Sequence, residues 1–114
     1  MNTTAGSAHN ADPLSRQEEL SFLFAQLVLQ QSNMAMMLLG KVAHPGSGEV
    51  VQDIEAARLF IDQLEMLEAK TKGNLSIEEQ RLLENSLTEL RFRYVQTFEA
   101  AQKDKADQTE SQSS

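Results

Sequence analysis

Lys70-Thr71-Lys72-Gly73-Asn74-Leu75-Ser76-Ile77-Glu78-Glu79 is the stretch that decides the fold. Lysines at the end of a helix suit its negative pole, and a glycine just beyond them supplies the left-handed residue that closes it. Ser76 and Glu79 follow in S-x-x-E spacing, a capping box that opens a new helix, with Leu75 placed as its hydrophobic staple. One helix therefore ends and the next begins across about three residues, Gly73-Asn74-Leu75. A connection that short forces two antiparallel helices.

Outward from this turn the pattern is helical on both sides. Upstream, Asp53 reads as an N-cap with Glu55 in the first turn. Ile54, Ala57, Ile61 and Leu64 recur on one face, with Phe60 and Leu67 beside them. Arg58 with Asp62, and Glu68 with Lys72, stand four apart on the other side, where such pairs support a helix. Downstream, Leu83, Leu87, Leu90 and Tyr94 follow 4-3-4 spacing, and Phe98 extends the stripe. That spacing suits long helices packed against one another.

A further helix precedes these two. Ser15 and Glu18 form another capping box, with Pro13 ahead of it, and the run continues to Leu39, where Gly40 stops it. Pro45, Gly46 and Gly48 mark the loop that follows. The expected architecture is all-α with three helices, at about 15–39, 53–72 and 76–100, in one domain spanning 15–101. Residues 1–14 and 102–114 lack large apolar side chains apart from Met1 and Leu14, so disordered tails are expected there.

Helix one is the unusual element. No charged residue stands between Glu19 and Lys41, and fourteen of the twenty positions from Leu20 to Leu39 are apolar. The large side chains point to all sides, and a helix apolar all round is buried all round. Two amphipathic neighbours cover one flank of it, so the other flank asks for a further surface. Three readings compete. The leading one is self-association, as a dimer or larger homo-oligomer with coiled-coil character. It would run through Leu20, Leu23, Phe24, Leu27, Gln30, Gln31, Met34, Met37 and Leu38. In the second, the same helix docks a different protein. In the third, helix 20–39 associates with a membrane, since its length meets the geometric need. Gln26, Gln30, Gln31, Ser32 and Asn33 interrupt the stretch, and no aromatic belt flanks it, which makes a membrane span the weakest of the three.

Composition excludes several other functions. The chain has 114 residues, a net charge of -7 and no cysteine. Without cysteine there is no disulfide framework, thiolate metal site or thiol nucleophile, which fits a cytoplasmic setting. From Ser15 to Ala101 eight basic residues face thirteen acidic ones, so no face is basic enough for nucleic acid. Arg91, Arg93, Lys70 and Lys72 make at most a small basic spot. His9 and His44 are the two histidines, and neither belongs to an H-E-x-x-H or E-x-x-H pattern. Asp62, Glu65 and Glu68 lie three apart on helix two, with Glu55 further up. Such a run usually lines a solvated face. A carboxylate metal site or an enzyme is the least supported alternative. No catalytic residue, cofactor or metal is assigned. The turn Lys70-Thr71-Lys72-Gly73-Asn74, with Ser76, reads as structural before it reads as a binding corner.

Several of these residues resemble a family of short bacterial proteins known only as a domain of unknown function. The likeness rests on Leu38-Leu39-Gly40, then Pro45 and Gly48-Glu49, then Asp53, Ala57 and Ile61-Asp62. It continues through Leu64-Glu65-Met66-Leu67, Lys70-Thr71-Lys72-Gly73-Asn74-Leu75, Glu79, Leu83, Leu90-Arg91 and Arg93-Tyr94-Val95. The Lys-Thr-Lys-Gly-Asn-Leu run is its most specific part. The chain departs from the pattern in the Gln and Met content of helix one and in Val42-Ala43-His44. The resemblance covers about 20–95 and implies a small helical bacterial cytoplasmic protein. It implies no activity, substrate or catalytic residue.

Overall fold

A computed structural model describes residues 13–113, with side chains placed for 15–107. Among the described residues there are three helices: α1, Pro13–Leu38; α2, Ile54–Lys70; and α3, Ile77–Ser113. Each packs against the other two. Most of the expected N-terminal tail, 1–12, lies outside the described residues.

The helix ends differ from the sequence reading in three places. First, α1 begins at Pro13, two residues before the expected Ser15 cap. Proline is well suited to a first helical turn because its missing N–H would be unpaired there anyway. In that turn Arg16 Nη1 donates to Glu19 Oε1 at 2.6 Å. Second, α2 ends at Lys70 with Thr71 as C-cap, so Lys72 lies beyond the helix. The expected Glu68–Lys72 pair is not among the ion pairs of the described residues. Third, α3 does not stop near residue 100 but continues to Ser113, through most of the segment assigned to a C-terminal tail. The sequence reading used apolar content to end the helix. Residues such as Gln102, Lys103, Lys105 and Ala106 have good helix propensity without any apolar stripe.

The junctions are otherwise as the residues dictate. At the end of α1 the Gly40 N–H donates to the Met37 carbonyl and the Lys41 N–H to the Met36 carbonyl. Gly40 has φ +79°. This is a Schellman motif, and it satisfies two carbonyls the helix would leave open. The loop returns alongside, with the Asp53 N–H on the Leu38 carbonyl at 2.7 Å. Asp53 then caps α2 by accepting from the Ala56 N–H. Between α2 and α3 the Asn74 N–H reaches back to the Thr71 carbonyl, with Gly73 at φ +85° in the third turn position. Gly73 is thus a turn residue two past the C-cap, one later than the sequence placed it.

The capping box of α3 forms reciprocally. The Ser76 N–H donates to Glu79 Oε1 at 2.8 Å, and the Glu79 N–H donates to Ser76 Oγ at 3.1 Å. The second oxygen of Glu79 accepts from the Ser21 hydroxyl of α1 at 2.6 Å. One carboxylate therefore starts α3 and fastens α1 to it. The Ser21 hydroxyl, then the Ser76 N–H, hold the Glu79 carboxyl below the ordinary value of 4.5, against a smaller opposing effect of burial.

The core lies between the three helices. Val28 and Ala35 of α1 meet Ile61 and Leu64 of α2 and Leu83, Leu87 and Leu90 of α3. Phe24, Met36, Phe60, Leu67, Leu75, Leu82 and Tyr94 close around them. The 4-3-4 stripe of α3 is the buried one, up to Tyr94. Phe98 stacks on Tyr94 at 6.0 Å but is largely exposed. Across the hairpin Arg91 forms an ion pair with Glu65 at 3.0 Å. Thr97 of α3 is buried, and its hydroxyl has no hydrogen-bond partner among the described residues.

Three outcomes follow, each measured by denaturant unfolding at fixed protein concentration. Gly73→Ala is expected to cost about 1 kcal/mol through the backbone alone, because a Cβ there meets nothing within 4 Å. Thr97→Val removes an unpartnered buried hydroxyl and should leave stability equal or raise it by about 1 kcal/mol. A comparable loss instead would show that the hydroxyl is bonded. Glu79→Gln should lower stability by roughly 1 kcal/mol near pH 7. Because the folded value of Glu79 is the lower one, its contribution is present above the ordinary value and fades as pH falls through the folded value. The variant should therefore lose less stability than the wild type on acidification below pH 4.5. Parallel acid limbs would refute that role.

Candidate interaction surface

The functional question centres on α1, because only one side of it is covered. Val28 and Ala35 are fully buried and define the core side. Polar groups line its borders. Ser21 bonds Glu79 of α3, Gln31 Nε2 donates to Gln63 Oε1 of α2 at 2.6 Å, and the Ser32 hydroxyl donates to the Val28 carbonyl. The helix is thus fastened to both neighbours through its amides and hydroxyls.

Outside those borders the apolar side chains are only partly covered by the described residues. Leu20 is 46% exposed, Leu23 50%, Leu27 44% and Met34 39%. Their spacing is 3-4-7, and Gln30 fills the missing step. Leu20, Leu27 and Met34 fall at one heptad position and Leu23, Gln30 and Met37 at another, the arrangement of a two-helix seam. On a second side Phe22 and Leu29, also seven apart, are 63% and 49% exposed.

The structure divides the nine positions assigned to self-association. Leu20, Leu23, Leu27, Gln30 and Met34 form the outward seam. Met37 does not join them, because it is 8% exposed and belongs to the chain's own core. Phe24 packs on the core cluster, Leu38 is half-buried, and Gln31 is engaged by Gln63. The turn residues Gly73, Asn74 and Ser76 act in chain reversal and capping, as described above.

Two exposed apolar residues on α2 escaped the sequence reading, which took the side away from the core as charged. Leu59 and Met66 are more than half exposed. The signal was there, since they stand seven apart with Gln63 between them. A cleft of about 170 Å³ runs between α1 and α2, lined by Leu27, Gln31, Gln63, Leu64, Met66 and Leu67.

The chemistry-bearing groups do not converge. Glu65 is paired with Arg91 at 3.0 Å and Asp62 with Arg58 at 4.0 Å, so two carboxylates of the acidic run on α2 are engaged in ion pairs. His44 Nδ1 accepts from the Gly46 N–H at 3.0 Å and holds its loop in shape. Arg93 pairs with Glu89 at 2.8 Å rather than opening a basic spot. A cleft of about 500 Å³ beside the hairpin turn has Glu65, Glu68, Glu84 and Lys72 on its walls. Among the described residues no three of His, Cys, Asp or Glu come together as a metal would require. No helix among them is long and apolar enough to cross a membrane, which weighs against the membrane alternative.

No curated protein and no solved structure matches the chain. A family model does match, that of the Domain of unknown function (DUF1844), over residues 21–96. The match takes in α1 from Ser21, the loop, α2 and α3 as far as Gln96, the three helices that build the core. The chain belongs to the DUF1844 family.

Proposed function

We propose that this protein is a non-enzymatic helical interaction module that self-associates through α1, as a dimer or a larger homo-oligomer in the bacterial cytoplasm. The observation that carries this reading is the uncovered seam of Leu20, Leu23, Leu27, Gln30 and Met34. It lies within a stretch free of charge from Leu20 to Gly40. Monomeric proteins seldom leave contiguous apolar surface of that extent in water. Each half-exposed leucine or methionine gains roughly 1 kcal/mol when its remaining surface is covered. Two copies of the seam bring together several such side chains, which offsets part of the cost of association.

A second copy is favoured over a charged partner because the seam offers no charge to complement. Gln30 adds a polar group at a core position of the pairing, a device that restricts register and oligomer size at some expense of stability. The seam's methionine suits an adaptable contact. Nucleic acid has no basic footprint to bind here.

Sedimentation equilibrium on the full chain tests the reading. The wild type is expected to be dimeric or larger at tens of micromolar. Leu27→Glu with Met34→Glu should shift it to monomer while circular dichroism shows the helices intact, since both side chains face outward. A wild type that stays monomeric across that range overturns self-association, and leaves docking of a different protein on the same helix as the reading to pursue.

A further inference from the structure

We infer that His44 is a proton-sensitive latch on the loop between α1 and α2. Neutral, its ring holds residues 44–49 as a closed turn; protonated, it releases them. This stands apart from self-association and rests on other residues. His44 commits three polar groups to its own loop. Its N–H donates to the Glu49 carbonyl at 2.7 Å, and its carbonyl accepts from the Gly48 N–H at 2.8 Å. Ring Nδ1 accepts from the Gly46 N–H at 3.0 Å and, more weakly, from the Ser47 N–H at 3.4 Å. The ring lies so close that a Cβ at Gly46 would stand 3.1 Å from His44 Cε1 and 3.3 Å from Nδ1. Glycine at position 46 leaves room for it.

An imidazole nitrogen accepts a hydrogen bond only while it carries no proton. The closed turn therefore requires the neutral ring with its hydrogen on Nε2. Protonation sets a further N–H against the two that point at Nδ1, and both bonds are lost. Histidine is the side chain that changes charge between about pH 5 and about pH 8. By linkage, a turn that binds only the neutral ring opens as the ring takes up its proton. His44 is exposed, and the charged residues of the loop itself are Lys41 and Glu49. Glu49 meets His44 through its backbone carbonyl. Among the described residues no carboxylate forms an ion pair with His44. No ion pair thus holds the imidazolium in the closed position.

The opening stops at the tip. Backbone bonds hold the base of the loop, from the Lys41 N–H to the Met36 carbonyl and from the Asp53 N–H to the Leu38 carbonyl. A bridge between Leu39 and Gln52 adds to them. These bonds contain no titrating atom, so α1 and α2 keep their places while 44–49 loosens.

Backbone ¹⁵N relaxation on the full chain tests the latch. Order parameters of Gly46 and Ser47 are expected to be about 0.85 at about pH 8 and below about 0.6 at about pH 5.5. His44→Asn supplies the control. Asparagine keeps a side-chain acceptor two residues before Gly46 and takes up no proton, so its tip should stay ordered at both pH values. Wild-type order parameters that do not change with pH overturn the inference. So does a His44→Asn tip that loses order alongside the wild type, since another group would then drive the opening.

Discussion

A helix with apolar side chains on every side can bury only part of them against two neighbouring helices. The rest of this structure follows from that constraint. The α2–α3 hairpin is self-sufficient in design, with a cap, a turn, a staple and one apolar stripe per helix. It presents one concave flank, and α1 lies in it with Val28 and Ala35 inward. Ala35 and Ala57, both fully buried, allow close approach where bulkier residues would hold helices apart. What remains of α1 projects away from the chain's own core, and that remainder is where interaction has to be sought.

The attachment of α1 is polar as much as apolar. Ser21 to Glu79 and Gln31 to Gln63 stand ten residues apart along α1, on the borders toward α3 and α2 respectively. Apolar packing alone would let a uniformly greasy helix rotate in its groove, since each face is nearly as good as the next. Hydrogen bonds to fixed partners remove that freedom. Glu79 is itself fixed by its capping role, so the bond from Ser21 refers the orientation of α1 to the first turn of α3. The outward set of side chains is thereby as well defined as the inward one.

Much of this was legible in the residues, because local chemistry governs it. The Asp53 cap, the Ser76–Glu79 box, positive φ at Gly73 and the buried stripe Leu83, Leu87, Leu90 each depend on neighbours within one or two turns. The start of α1 and the end of α3 were not legible, because capping signals and apolar content are weak guides where propensity alone sustains a helix. The surface was legible in part. The absence of charge in α1 pointed to it, but which third of that helix faces out is settled by long-range bonds, those of Ser21 and Gln31. Met37 shares the heptad position of Leu23 and Gln30 yet is buried within the chain. Leu59 and Met66 went unread because Arg58 and Asp62 beside them suggested a wholly charged side.

The amides of α1 fall into two groups with opposite consequences. Gln31 faces α2 and donates to Gln63 within the chain. Gln26, Gln30 and Asn33 face outward and remain in water. Replaced by leucine, they would make the outer side of α1 apolar throughout, an aggregation liability. As they stand, each demands a hydrogen bond from whatever covers it, which penalises every arrangement that leaves one unpaired. The same residues that argue against a membrane span therefore keep the outer side of α1 from being uniformly apolar. Any packing of an α1 of this composition has to satisfy those amides, which a purely aliphatic helix would not require.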